Sequence, residues 1–264
     1  MPIVEVEAGG PVARVWLNRP DQRNAVSRPM LEELVAALGD LAAAPDVRAV
    51  VLSGRGPDFC AGADVAELEA ARDGPEAVDY GRDFEEALRA ISSHPVPVLA
   101  RIRGAALGAG CQLAVACDLA VAADDAKLGI PSVRLGIVVP FEVVQRLVLS
   151  VGPKRASDLL LTGRTVSGGE AATWGLVNES VPAERLDARA DEVARHVAEA
   201  APISVRASKR GIAIALDQLS LDRATESHRA GDFDMMAAQA LGSDDLAEGI
   251  RAFRERRKPE FRGR

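Results

Sequence analysis

Two apolar runs in this chain stop in glycine-rich turns and restart as helices, and that ordering limits the fold more than any other feature. "VRAVVLSG" (47–54) leads into "GRGPDFCAGAD", and "PVPVLARIRG" (95–104) leads into "AALGAGCQLAVACD". An unbroken apolar run marks a strand buried on both faces, and such strands are joined by helices that cover the sheet. The chain is therefore predicted to be α/β. A third unit reads the same way: "DLAVAADDAKLGIP", the loop "SVRLGIVVP", then a helix over about 141–150. Together they suggest an architectural repeat of about 50 residues with little identity between units.

Ahead of these units, "PIVEVE", a Gly9-Gly10-Pro11 turn and "VARVWLN" read as a hairpin. The helix that follows has Ser27 as N-cap, Pro29 in its first turn, and a stripe of Met30, Leu31, Leu34, Val35, Leu38 and Leu41. From about Ala183 strand signals vanish. "AERLDARADEVARHVAEAA", "PISVRASKRGIAIALDQ", residues 220–240 and "DLAEGIRAFRERRKPEF" read as amphipathic helices. The expected organisation is an α/β core over 1–195 and a helical region over 196–264. Such a region cannot bury its apolar stripes alone, so it packs on the core or on a neighbouring subunit.

With 48% hydrophobic and 27% charged residues the chain can build a core, which excludes a disordered class. No uncharged apolar run reaches the roughly 18 residues of a membrane span. "MPIVEVEAGG" has no basic segment followed by an apolar one, so the expectation is a cytoplasmic protein without a membrane span. A net charge of -7 argues against non-specific nucleic-acid binding. Cys60, Cys111 and Cys117 are an odd number in small, apolar company, and His94, His196 and His228 stand far apart. Buried thiols and solvated histidines are expected, with no disulfide framework and no metal site.

A helix that starts in a glycine turn presents unpaired N–H groups and the positive end of its dipole, which suits an oxyanion or a phosphate. Two such turns, at 60–64 and 107–110, could together form one site. Gly108-Ala109-Gly110 is not a dinucleotide fingerprint, because Leu113 stands where glycine or alanine is needed. Neither "GxxxxGK" nor "GxSxG" occurs, which removes the main support for nucleotide hydrolysis and for a serine hydrolase.

The stretches "LNRPDQRNAVS", "LSGRGPDFCAGADVAEL", "PVPVLARIRGAALGAGCQLAVACDLAVAADDAKLGIPSVRLGI", "LLLTGRTVSGGEAATWGLVNESVP" and "GIRAFRERRKPEF" resemble, in order, landmarks of the crotonase superfamily, the enoyl-CoA hydratase/isomerase family. The resemblance implies a crotonase-like spiral of ββα repeats, a C-terminal α-helical trimerisation region, and a homotrimer or hexamer. It implies an acyl-CoA thioester as ligand, with coenzyme A as part of the substrate and no permanently bound cofactor. It also implies that the thioester oxygen lies in an oxyanion hole between the N–H groups of Ala63 and Ala109. The family usually has glycine at the second position; alanine keeps the donor provided its φ is not positive. By the same resemblance Arg23, Asn24 and Ala25, with Ala61, Asp64, Val65, Leu107 and Gly108, line the CoA moiety. Arg256, Arg257 and Lys258 either reach a CoA or form a solvated basic face.

Hydratases of this family use two glutamates, and the matching positions here are Gln112 and Ser132. An amide does not exchange a proton near neutral pH and an unassisted hydroxyl is a poor base. Positioned acid–base groups are worth about 10²–10⁴ each, so the pattern argues against ordinary hydration. Glu142 is the first candidate for a replacement acid, its alternative role being a favourable charge at a helix start. Glu67 and Asp64 sit by the first glycine loop, where Asp64 is expected to brace it. Three readings follow: an enzyme with a non-standard acid or a water held by Gln112 and Ser132; a non-catalytic acyl-CoA binding protein; and an enolate-forming decarboxylase or thioester hydrolase. The acyl chain would be selected in part by a helix over about 75–91.

Overall fold

The computed structural model describes residues 2–72, 76–218, 235 and 238–262. Its larger sheet contains, in spatial order, β1 (Val4–Glu7), β2 (Val12–Leu17), β3 (Ala49–Gly54), β4 (Val98–Ile102), β6 (Leu119–Ala123) and β9 (Glu179–Val181). β1 and β2 form the expected antiparallel hairpin, Val4 opposite Leu17, and every other pairing in this sheet is parallel. A smaller sheet joins β5 (Ala105–Leu107), β7 (Lys127–Gly129) and β8 (Val166–Ser167). β3 is buried at every position because β2 and β4 flank it and α8 (Leu186–Glu199) packs across it.

The first helix, α1 (Arg28–Ala43), buries Met30, Leu31, Leu34, Leu38 and Leu41, as its stripe requires. Burying each such side chain contributes about 1.5–3 kcal/mol. Ser27 holds the extended N-cap conformation, but its side chain makes no capping hydrogen bond.

Three times the chain leaves the large sheet, touches the small one, and enters a helix. β3 is followed by a single bridge at Cys60, then α2 (Val65–Arg72) and α3 (Glu76–Ser92). β4 is followed by β5 and α4 (Ala109–Ala116), and β6 by β7 and α5 (Phe141–Val151). The expected even period does not hold: these turns begin at Ala49, Val98 and Leu119. The first is long because it carries two helices, whereas the second carries only the 8-residue α4. "DLAVAADDAKLGIP" is correspondingly two strands in different sheets, separated by a turn closed by Ala126 N–H on the Ala123 carbonyl at 3.0 Å.

The solvated-histidine expectation fails for His94, which is buried. Its ring nitrogens lie 3.1 Å from the Val96 carbonyl and 3.2 Å from that of Leu38, so it seals the α3–β4 connection against α1. Burial pushes its pKa below the usual histidine value. Cys60 and Cys111 are fully buried, and burial pushes both thiols up to about 12.

After β8, α6 (Pro153–Thr162) lies behind and α7 (Gly168–Trp174) ahead in the chain, and the later elements are α8, α9 (Pro202–Gln218) and α10 (Asp244–Glu255). The boundary expected at residue 195 falls within α8, which packs on β3, β4 and β6. His228 and most of the helix expected over 220–240 lie outside the described residues. α10 lies against the segment after Ser132: a Cβ at Gly249 would be 2.6 Å from the Leu135 carbonyl oxygen. Arg254 pairs with Glu69, tying α10 to α2. Arg257 is not a freely solvated cation as the basic-face reading expected, because Glu248 and Glu255 hold it at 2.5 and 2.6 Å. No helix among the described residues is long and apolar enough to cross a membrane.

Candidate active site

The two glycine turns meet. A Cβ at Gly110 would lie 2.3 Å from the Cys60 carbonyl oxygen, and one at Gly62 would lie 3.3 Å from the Leu107 oxygen. Cys60 and Ala106 form a parallel bridge, with Cys60 N–H on the Ala105 carbonyl and Leu107 N–H on that of Cys60. Only residues without side chains permit this approach, and Gly62 and Gly108 also carry positive φ values of 126° and 53°. Ala109 does not, so alanine is accommodated there without strain.

Each turn presents an unused amide. The Gly62 carbonyl accepts from Val26 N–H at 2.8 Å, so the N–H of the same planar peptide, on Ala63, points the other way. Gly108 is the N-cap of α4, and its carbonyl takes Gln112 N–H at 3.1 Å, leaving Ala109 N–H as the first unpaired donor of the helix. Among the described residues neither Ala63 N–H nor Ala109 N–H has an acceptor. Gly108 N–H donates to the Gly129 carbonyl at 2.9 Å, bringing β7 and the short helix Pro131–Arg134 to the start of α4.

Gln112 and Ser132, on those two segments, are both buried. The Gln112 Oε1 is enclosed and has no hydrogen-bond partner among the described residues. A buried acceptor left in that state costs about 1–3 kcal/mol. Glu142, in the first turn of α5, is partly exposed; its Oε1 accepts from Arg146 Nε at 3.2 Å and from Ser92 Oγ at 3.4 Å. It is tied to the last turn of α3 and to its own helix.

The stretch from Arg23 to Ala25 packs against the first glycine turn, its Arg23 carbonyl accepting Ala61 N–H. Arg23 and Asn24 hold left-handed φ values of 52° and 56°. Asn24 supports this turn with its side chain, which is fully buried, bonding the carbonyls of Arg55 and Asp58 and accepting Arg19 N–H. Arg23 is half exposed and grips Asp58 through two nitrogens at 2.7 and 3.1 Å. That guanidinium holds the Asp58 carboxyl below its ordinary pKa. The Arg23 carbonyl takes Ala61 N–H, and Ala25 offers its own to Arg19. Asp64 braces the loop: Oδ2 pairs with Arg19 at 2.9 Å, and Oδ1 accepts Ala66 N–H above Val65, which opens α2. Sequence reasoning missed Arg19, Asp58 and Tyr80, the last of which sends its hydroxyl to the Val26 carbonyl. Tyr80 had a signal: it heads the α3 stripe of Phe84, Ala87, Leu88 and Ile91.

A spiral of paired strands and helices spread over two sheets is the architecture of crotonase-superfamily proteins. The family model described as enoyl-CoA hydratase/isomerase matches residues 7–264, and the chain belongs to that family. A Thermus thermophilus protein that carries the name enoyl-CoA hydratase is 41% identical over 98% of this chain and all of its own. An enoyl-CoA hydratase/isomerase from Xanthobacter autotrophicus Py2 superposes with a TM-score of 0.85 at 34% identity, covering 96% of this chain and 93% of that one. A methylmalonyl-CoA decarboxylase in complex with 2-nitronate-propionyl-CoA superposes with a TM-score of 0.87 at 26% identity over 99% of both chains.

Proposed function

We propose that the protein binds an acyl-CoA thioester with the carbonyl oxygen between Ala63 N–H and Ala109 N–H, and that these donors stabilise the enolate formed there. The observation that carries this reading is the contact of the two glycine turns, each of which has an amide, Ala63 N–H in one and Ala109 N–H in the other, with no acceptor among the described residues. Fixed donors aimed at a developing oxyanion are worth about 10²–10³ in rate each. The CoA moiety runs along Arg23, Asn24 and Ala25 and the backbone of Ala61, Asp64, Val65, Leu107 and Gly108, with Asn24 contributing through its backbone turn. Coenzyme A is part of the substrate and no permanent cofactor is required. The chain self-associates as a trimer or hexamer through its helical region, a reading supported by Ile203, Ile212 and Ile214 exposed on α9.

The reaction is not the two-glutamate addition of water, since Gln112 and Ser132 are buried, neutral groups. Arg146 and Ser92 both hold Glu142 through Oε1, and Glu142 stays the candidate acid or base through its other carboxylate oxygen. The likeness to a methylmalonyl-CoA decarboxylase favours enolate formation by loss of a carboxylate. There the carbon–carboxylate bond breaks, its electron pair moves to the thioester oxygen, carbon dioxide leaves, and a proton from water returns to carbon. No general base is needed to start such a reaction. The test is a panel of crotonyl-CoA, malonyl-CoA and methylmalonyl-CoA, with binding followed by calorimetry. Release of carbon dioxide without hydration of crotonyl-CoA is expected. Hydration at rates usual for the family overturns the reading of Gln112 and Ser132, and binding without turnover of any thioester leaves the non-catalytic acyl-CoA binding protein in its place.

A further inference from the structure

The chain has one tyrosine, and it stands where α3 meets the loop carrying Ala63. Tyr80 is 8% exposed, and its hydroxyl donates to the Val26 carbonyl at 3.2 Å. The same carbonyl accepts Asp64 N–H at 2.8 Å, while Val26 N–H donates to the Gly62 carbonyl at 2.8 Å. Val26 therefore grips the loop on both sides of Ala63. Because a peptide is planar, the bond to the Gly62 oxygen also sets the direction of Ala63 N–H. A third bond to Val26, the Tyr80 hydroxyl on its carbonyl, steadies that direction.

Two further observations agree. Burial holds the Tyr80 pKa above its ordinary value, and the nearby Cys60, Glu67 and Asp64 push it the same way, so the hydroxyl stays a donor. Helix α3 has a second, separate tie: Arg28 Nε pairs with Asp83 at 2.9 Å, reaching α1 and not the loop. The seating of the helix and the aim of the amide can thus be perturbed independently.

We infer that Tyr80 is a positioning residue for the Ala63 donor, its hydroxyl holding the angle of the Gly62–Ala63 peptide through the Val26 carbonyl. This rests on the proposed thioester site, and the test separates the two. Calorimetry compares butyryl-CoA with S-butyl-CoA, a thioether that lacks the carbonyl oxygen, so their affinity ratio reads the two donors alone. In the unmodified protein the thioester binds about tenfold tighter, as two net hydrogen bonds predict. In Tyr80→Phe the ratio falls several-fold while the thioether affinity is unchanged. In Asp83→Asn, which loosens α3 by its other tie, the ratio is kept.

Equal affinities in the unmodified protein overturn the thioester site itself. A ratio preserved in Tyr80→Phe, or lowered equally in both variants, overturns the role of the hydroxyl and leaves the site standing. Should Tyr80→Phe fail to fold, 3-fluorotyrosine placed in the unmodified chain gives a single ¹⁹F resonance. It shifts with butyryl-CoA and not with S-butyl-CoA if Tyr80 senses the donor, and an identical response to both overturns the inference.

Discussion

Replacing Gly110 by alanine adds one methyl group at the point where the two glycine turns press together. Its Cβ would sit 2.3 Å from the Cys60 carbonyl oxygen, 2.7 Å from the Cys60 Cβ and 2.9 Å from its carbonyl carbon. An ordinary contact for carbon is about 3.5 Å, so α4 and the Cys60 loop must separate by about 1 Å. The nearest atom is backbone, held by the Cys60–Ala106 bridge, so no rotamer change relieves the clash. Overpacking of this kind costs about 1–3 kcal/mol, and the upper end is expected here. For a chain of this size that lowers Tm by about 6–12 °C. Separation also spoils the donor pair, so the roughly tenfold preference for the thioester over the thioether should fall toward equality. The assay is thermal unfolding together with the thioester-to-thioether affinity ratio. Gly39→Ala is the control of opposite sign: that glycine is exposed within α1 with nothing within 4 Å of an added Cβ. It should stabilise by about 0.5–1 kcal/mol, the helix-propensity difference. If Gly110→Ala melts within a degree or so of the unmodified chain, the close contact of the two turns is not a feature of the folded protein.

Other consequences can be measured separately. Gln112→Met removes a buried acceptor that has no partner; with no ligand present it should raise stability by about 1 kcal/mol, and a loss of similar size in urea unfolding would mean that Oε1 is satisfied in solution. Asp58→Ala strips the partner from Arg23 and from Ala105 N–H, which it holds at 2.7 Å; a loss of about 2–3 kcal/mol is expected, and an unchanged denaturation midpoint would contradict it. His94 makes stability pH-dependent. Its folded pKa lies below the unfolded value of 6.5, so between the two the unfolded chain binds the extra proton and stability falls as pH drops below 6.5. The groups facing the ring are the Val96 and Leu38 carbonyls, Lys209 and Asp118. Urea midpoints at about pH 8 and pH 5.5 should differ, and His94→Gln should narrow the difference; equal narrowing in a surface histidine variant such as His196→Gln would assign the effect elsewhere.

The strands and helices with a clear period were legible in the sequence. α1 shows its stripe at helical spacing, and β3 is a continuous apolar run because it is covered on both sides. The small sheet was not legible, since β5 and β7 are three residues each and β8 is two, too short for any alternation to register. The candidate residues Ala63, Ala109, Gln112 and Ser132 came from the family resemblance, and that Gly62 faces Leu107 depends on a bridge between residues far apart in sequence. His94 looked like surface because its partners are backbone groups, the Leu38 and Val96 carbonyls and the Val96 N–H, which leave no side-chain trace. The partners of Glu142 were hidden for a similar reason: one of them, Ser92, lies 50 residues away.

In the large sheet, spatial order follows chain order from β1 through β2, β3, β4 and β6 to β9. During synthesis the sheet therefore grows at one edge only, and each new strand meets a neighbour that has already emerged from the ribosome. A nascent chain that has delivered α4 holds both Ala63 and Ala109, yet Gly108 still lacks the Gly129 carbonyl that anchors it. The last of the bonds that hold the second glycine turn is thus contributed by a strand made after it, β7.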